Sequence, residues 1–375
     1  MLENQIRQLA DRKETEGPFL SLYIDTQRND ESQRDRIRLF IKHEIQKIRD
    51  ALGAEAGGDG GIEKGIRRIE EYFHSELEPG TRGVAMFYGP NGDFFLPLQL
   101  PVQVTPSLFI GSRPHLRQLV ELQEDHPPIA VAMIDAKSAR LFELELARIL
   151  WEIDLEHPDL PRGKKPRGSA QYANAAHVQE HFQDHVDRHQ KEVAEILTRI
   201  CEQDRVRGVI LSGQERNVAN FRSFLPKRVE SSIFGTLRLD MNATITEVIS
   251  ECNALIRNRA AGALSQRLDE LENHARGNGR GAFGISRVAD AVNQRKLEEL
   301  FVARGTETRG WRCPKCGIVG HTMSLGCPVC GEQVVTVDLI EEFISAAMLE
   351  DGEVTFAPAG TVLDRHDGVG AILRF

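Results

Sequence analysis

Four of the six cysteines fall in two pairs, Cys313-Pro314-Lys315-Cys316-Gly317 and Cys327-Pro328-Val329-Cys330-Gly331. Each pair has the form C-P-x-C-G, a tight turn that aims two thiolates at one point. Two such turns supply the four sulfurs of a tetrahedral structural zinc site. Four thiolates leave no open position for water, so the metal would hold the fold rather than do chemistry. Unbound buried thiols are the plain alternative, and paired knuckles weigh against it. His321 lies between the pairs and could replace one sulfur, but Cys313, Cys316, Cys327 and Cys330 are the expected ligands. Cys201 and Cys252 read as core thiols.

A second cluster carries charge. Arg162, Lys164, Lys165 and Arg167 lie between Pro161 and Ala170 with no acidic residue among them, in a chain of formal net charge -9. Overall charge gives no attraction to nucleic acid, so RNA contact would have to come from such a local cluster. Gly163 and Gly168 allow the loop to approach another backbone closely, and the cations suit phosphates. A solvated basic loop without a partner is the alternative. The loop ends Gly168-Ser169-Ala170-Gln171. A glutamine amide positions a water but is neither acid nor base at neutral pH, so hydrolysis here would need a partner's chemistry.

His177, His181, His185 and His189 follow, every fourth residue. On a helix this row drifts about 40° per step, so no single metal can hold all four. They are expected to face solvent or RNA, beside a core stripe of Val178, Phe182 and Val186. The G-x-S-x-G elbow, the Walker loop and H-E-x-x-H are absent, and Ser212-Gly213 reads as a strand-to-helix turn.

The elements that must position these residues can be read from periodicity. PFLSLYIDT reads as a buried strand, and Ser32 opens a helix with Ile37, Ile41, Ile45, Ile48 and Leu52 at helical spacing. Gly57 to Gly61 separate it from a second helix ending near Glu78. RGVAMFYG and FFLPLQL flank Pro90-Asn91-Gly92-Asp93, a hairpin signal. IAVAMID, RLFELEL and ILWEIDL read as three antiparallel strands. The basic loop follows, then a long polar helix from about Ala173 to Cys201, the strand VRGVILS, and a helix from Val218. A charged helix from Ala261 leads to GNGRGAFG, which reads as a hinge. The remainder reads as helix, strand, zinc insert, helix, strand.

At 375 residues, with 41% hydrophobic and 27% charged residues, the chain suits three globular domains. The expected fold class is α/β and α+β multidomain, three domains in a row with a four-cysteine zinc ribbon inserted in the third. Residues 1–125 form an N-terminal α+β domain, 126–260 a central α/β domain, and 261–375 a C-terminal α/β domain with the ribbon at 311–332. No stretch approaches the roughly 18 apolar residues that span a bilayer, and the start has no apolar signal core. A cytoplasmic location without membrane contact is expected, and the cysteine pattern fits a reducing compartment.

The segment DLPRGKKPRGSAQYANAAHVQEHFQDHVDRHQKEVAE resembles the central domain of the class-one release factors of archaea and eukaryotes, whose catalytic loop carries Gly-Gly-Gln before a long helix. IAVAMIDAKSARLFEL and VRGVILSGQERNVANFRSFLP resemble the strands and helix around that loop. The ending from Gly368 to Phe375 is similar to the terminal strand of the family's third domain, which is related to a ribosomal-protein fold. A zinc ribbon in that domain is similar to archaeal members. GVAMFYG and SRPHLRQLVEL look more like the divergent bacterial branch of this release factor/Pelota superfamily.

Two departures stand out. Gly168-Ser169-Ala170-Gln171 replaces Gly-Gly-Gln, which puts catalysis in doubt, although the related mitochondrial quality-control branch also tolerates a G-x-x-Q form. The first domain carries SQRDRIRLFIKHEIQK where the family has Asn-Ile-Lys-Ser, so stop-codon reading is not expected. The resemblance implies a ribosome-binding factor that enters the A site in a tRNA-like pose and acts in rescue. Gln171 and Gly168 would promote hydrolysis of P-site peptidyl-tRNA, and Arg162, Lys164, Lys165 and Arg167 would meet ribosomal or transfer RNA. Whether the chain is an enzyme stays open. A non-catalytic hibernation or protection factor blocking the same sites is the alternative, and an RNA-binding adaptor unrelated to ribosomes is a third reading. A translational GTPase is the candidate carrier, and a monomer is expected.

Overall fold

The computed structural model describes residues 2–12, 18–26, 31–52, 60–72, 77–89, 92, 94–156, 171–203, 206–277, 279–322 and 324–374. The chain divides into two compact units, one made of 1–124 and 262–375, the other of 125–261. Both are mixed α/β.

The first unit begins with α1 (Leu2–Ala10), β1 (Phe19–Asp25), α2 (Glu31–Leu52), α3 (Gly60–Tyr72), β2 (Gly83–Tyr88), β3 (Phe95–Leu100), β4 (Ser107–Gly111) and α4 (Arg117–Asp125). The strands form an antiparallel sheet ordered β3-β2-β1-β4. Strand alternation turns Leu20, Leu22 and Ile24 to one face. There they pack with Val84, Met86 and Tyr88 of β2 and with the isoleucines read from helical spacing, Ile37, Ile41 and Ile45 of α2. The strands expected to flank a hairpin turn are paired, β2 with β3 from Gly83↔Leu100 to Tyr88↔Phe95; of the turn itself only Gly92, at φ +79°, lies within the described residues. The described part of the second helix stops at Tyr72, short of the expected Glu78.

The second unit holds β5 (Ile129–Ile134), β6 (Ser138–Glu145), β7 (Arg148–Glu156), α5 (Gln171–Gln203), β8 (Gly208–Gly213), α6 (Glu215–Arg222), α7 (Lys227–Ser231), β9 (Ile233–Leu237) and the start of α8 (Ile245–Arg276). The sheet order is β7-β6-β5-β8-β9. β5, β6 and β7 are antiparallel, as their alternation predicts. β8 and β9 run parallel to β5, through crossovers that include α5 and α6–α7. Ala130, Ala132 and Ile134 meet Val193, Ala194 and Leu197 of α5 and Phe221 of α6. Ile129, Val131 and Met133 meet Val248, Cys252 and Ile256 of α8 on the opposite face. The result is a three-layer helix–sheet–helix stack. Cys252 is buried and Cys201 is partly buried against the α5 side, as expected of core thiols.

The chain then re-enters the first unit through the end of α8, β10 (Gly281–Phe283), α9 (Ile285–Asn293), β11 (Leu297–Ala303), β12 (Arg309–Arg312), β13 (Val319–Gly320), β14 (Val335–Asp338), α10 (Leu339–Leu349), β15 (Glu353–Ala357) and β16 (Val369–Leu373). Four of these strands form a sheet ordered β10-β16-β11-β15, with only β11 and β15 parallel. Leu268 and Leu271 of α8 pack with Phe301 and Ile372.

One expectation is corrected here. The glycine-rich stretch read as a hinge is in part a strand, because Gly281, Ala282 and Phe283 pair with Ile372, Ala371 and Gly370. Gly281 is required by crowding, since a Cβ there would lie 2.4 Å from the Ala275 nitrogen. The charged helix is also longer than read, starting at Ile245 rather than near Ala261. The interior apolar residues that extend it, Val248, Cys252 and Ile256, are diluted by polar neighbours on its other faces.

Candidate metal centre and release-factor-like loop

The two knuckles are near copies of each other. The Cys313 amide donates to the Ile318 carbonyl at 2.8 Å and the Gly317 amide to the Cys313 carbonyl at 2.9 Å. The Cys327 amide donates to the Glu332 carbonyl at 2.8 Å and the Gly331 amide to the Cys327 carbonyl at 2.9 Å. Gly317 and Gly331 sit at φ +76° and +75°, the left-handed region that explains the glycine after each second cysteine.

The four Sγ atoms lie within 4.8 Å of one another. Cys313 and Cys330 sulfurs are 3.4 Å apart, Cys316 and Cys327 also 3.4 Å, and Cys316 and Cys330 3.7 Å. Zinc–sulfur bonds of about 2.3 Å in a tetrahedron require sulfurs roughly 3.8 Å apart, so this cluster has the size of a four-thiolate site. The donor set fits a metal, and His321 is not part of it.

Packing fixes the ribbon to its unit. Asn293 at the end of α9 donates its Nδ2 to the Val319 carbonyl and accepts the Val319 amide at its Oδ1, both at 2.9 Å. Trp311, nearly buried, donates its Nε1 to the Thr322 carbonyl at 2.5 Å. Gly310 admits Leu339, whose Cδ1 would be 2.4 Å from a Cβ at that position. None of these supports is visible in the cysteine spacing.

The basic loop lies between β7, which ends at Glu156, and α5, which begins at Gln171. Arg162, Lys164, Lys165, Arg167 and Gly168 lie outside the described residues, and of Gln171 only its place at the head of α5 is described. The side chains of His177, His181 and Val178 likewise lie outside them. His189 corrects the reading of the histidine row, because it is 2% exposed and so faces the protein rather than solvent. The row's drift around the helix carries its last member inward, beside Val186, which is buried as expected. On the same part of α5, Asp187 and Gln190 accept from the Asn220 side chain of α6 at 2.9 and 2.8 Å.

Sequence reasoning missed a cavity of about 600 Å³ at the C-terminal ends of the parallel strands β5 and β8. Its wall includes Asp135, Gly213, Glu215 and Arg238. Gly213, read as a turn, holds φ +142°, and a Cβ there would sit 2.2 Å from the Ile134 carbonyl oxygen. Asp135 is held by Asn217 Nδ2 at 2.9 Å, and Arg238 pairs with Glu215 at 3.1 Å. The signal for this cavity was available in the parallel β–α–β order, since open α/β sheets leave a crevice at their strand ends.

The central unit is a mixed sheet covered by helices on both faces. Residues 114–257 match the family model of Bacterial archaeo-eukaryotic release factor family 10. This supports the sequence-based resemblance of the chain to the release factor/Pelota superfamily. No curated protein matches the chain.

Similar solved structures include the archaeal translation termination factor aRF1, at 17% identity over 100% of this chain and 97% of that one, TM-score 0.26. Dom34 of S. cerevisiae, a translation termination-like factor interacting with Hbs1, is 10% identical over 76% and 74%, TM-score 0.37. Ribosome-bound archaeal Pelota is 16% identical over 100% and 94%, TM-score 0.41.

Proposed function

We propose that the chain is a release-factor-like translation factor that enters the ribosomal A site in a tRNA-like pose and promotes peptidyl-tRNA hydrolysis on stalled or idle ribosomes. The observation that carries this reading is the family match across 114–257, which contains the basic loop and α5. In this reading Arg162, Lys164, Lys165 and Arg167 neutralise phosphates of ribosomal or transfer RNA. Gly168 allows close approach to the reacting ester. Gln171 orients water through its amide, while ribosomal RNA supplies most of the transition-state environment. Cys313, Cys316, Cys327 and Cys330 would hold a structural zinc ion. The chain works in the cytoplasm as a monomer, with a translational GTPase as candidate carrier and three functional segments at 1–125, 126–260 and 261–375.

A second reading is favoured by one observation, the Gly168-Ser169-Ala170-Gln171 sequence in place of Gly-Gly-Gln. In it the factor blocks the A site and peptidyl-transferase centre without chemistry, as in hibernation. The test is release of labelled peptide from ribosomes with P-site peptidyl-tRNA and an empty A site, comparing wild type with Gln171→Ala. Rescue predicts release by wild type and at least a tenfold loss in the variant, with ribosome binding unchanged. Binding by both without release by either selects the blocking factor. Absence of cosedimentation with ribosomes sinks both.

A further inference from the structure

Within the first unit, a cleft of about 440 Å³ runs between two strands that are each at the edge of a sheet. One wall is Phe109, Ile110 and Gly111 of β4, the outer strand of the sheet β3-β2-β1-β4. The other is Thr336, Val337 and Asp338 of β14, the outer strand of the ribbon sheet β13-β12-β14. An edge strand presents backbone N–H and C=O groups to whatever lies beside it, and three consecutive residues from each strand border this space. The volume falls in the range of ligand pockets.

Two residues that line the cleft each carry a buried nitrogen without a hydrogen-bond partner, Arg113 Nε and His115 Nδ1. His115 is held rigidly. Its ring stacks on Phe109 at 3.5 Å and 3°, and its Nε2 lies 3.4 Å from Glu341 Oε2. Its backbone accepts from Tyr23 Oη at 2.6 Å and donates to Ser21 Oγ at 2.9 Å. Burial pushes the Glu341 carboxyl up to about 8 and the His115 imidazole down to about 4, so near neutral pH the ring is uncharged and can carry its proton on Nδ1. Arg113 Nε is a donor in any case. Arg113 Nε therefore calls for an acceptor, and His115 Nδ1 can donate to the same one.

The carboxylates around the cleft are already committed. Glu342 pairs with Arg312 at 3.3 Å. Asp338 accepts the Ile340 and Thr308 amides at 3.0 and 3.3 Å. Glu341 accepts the Leu116 and Arg117 amides at the head of α4. Glu307 and Arg309, both exposed, also line the cleft. An incoming anion thus meets Arg113 and His115 as donors and no uncommitted buried acid.

We propose that this cleft binds the C-terminal end of an extended peptide, which adds as a strand to the free edge of β4 and places its terminal carboxylate on Arg113 and His115. Backbone pairing supplies affinity, and the apolar side chains of Ile110 and Val337 select residues near the terminus. This site is independent of the basic loop and of the ribosomal reading.

The probe is a set of fluorescein-labelled tetrapeptides of varied sequence with free carboxylates, each with an amidated twin, titrated into the full chain by fluorescence polarisation. A subset of the free acids is expected to bind at least tenfold more tightly than the amidated twins. Arg113→Gln should remove that difference and Arg113→Lys restore part of it, with thermal melts reporting that both variants are folded. In wild type, the bound peptide should slow amide exchange across 107–111. Equal binding of acids and amides overturns the carboxylate assignment. Binding without protection of 107–111 overturns strand addition. Binding of acetate or inorganic phosphate with retention of no tetrapeptide overturns the peptide as occupant.

Discussion

At the scale of single residues, the most constrained group is Glu341. Burial holds its carboxyl up at about 8 and holds the neighbouring His115 down at about 4. A raised carboxyl stabilises the fold fully below the ordinary value of 4.5, and this contribution is lost as pH rises through 8. A depressed imidazole stabilises the fold fully above 6.5, and its contribution is lost as pH falls through 4. Between 4.5 and 6.5 the two slopes oppose and cancel. From 6.5 to 8 only the Glu341 slope remains, at most about 1.4 kcal/mol per pH unit. Thermal melts of wild type should decline over pH 6.5–8, while Glu341→Gln, less stable at low pH by roughly 1–2 kcal/mol because a carboxamide satisfies the two amides less well, should be flatter. Parallel decline in both proteins would mean that Glu341 is ionised in the fold. None of this was legible in the sequence. Glu341 and Glu342 look like acids in the first turn of an exposed helix, yet both are buried, Glu341 against backbone amides more than 200 positions earlier and Glu342 against Arg312.

Elements were more readable, in proportion to how much of their signal is local. The antiparallel order of β5, β6 and β7, the isoleucine face of α2 and the two knuckles all follow from spacing within a few residues. The strand at Gly281–Phe283 did not, because glycines that serve close packing and glycines that serve a hinge look alike until the neighbouring backbone is known. The buried His189 escaped for a related reason, since helical phase decides its direction and one residue type does not. The ribbon offers an element-scale prediction. Each chain should carry one zinc ion by elemental analysis, and a chelator should shift Trp311 fluorescence toward that of exposed indole in a Trp151→Phe background, because the knuckles that order its surroundings close around the metal. The far-UV signal of the three larger sheets should change little. A zinc content near zero with an unchanged Trp311 spectrum would reject the metal centre.

At the scale of the whole molecule, the charge balance bears on the proposed function. A net charge of -9 repels RNA in general, so attraction must be concentrated where cations gather. If the loop from Arg162 to Arg167 meets phosphates, replacing Arg162, Lys164, Lys165 and Arg167 with glutamine should reduce the dependence of log affinity for ribosomes on log salt by about 3–4, near one per lost phosphate contact. A variant that keeps the wild-type slope would place the RNA contact elsewhere on the chain.

The division of the chain also governs how it comes to be folded. The amide of Leu116 reaches a carboxylate 225 positions later, and β11 needs β16 from the far end of the chain as its neighbour. During vectorial synthesis the unit at 125–261 has all its strands available as soon as β9 and the start of α8 emerge. The discontinuous unit must wait, its opening sheet exposed along β4, until β14 and α10 have been made. A nascent chain stalled near residue 280 should therefore present a protease-resistant central unit and a sensitive leading segment, an order of maturation set by topology rather than by position in the chain.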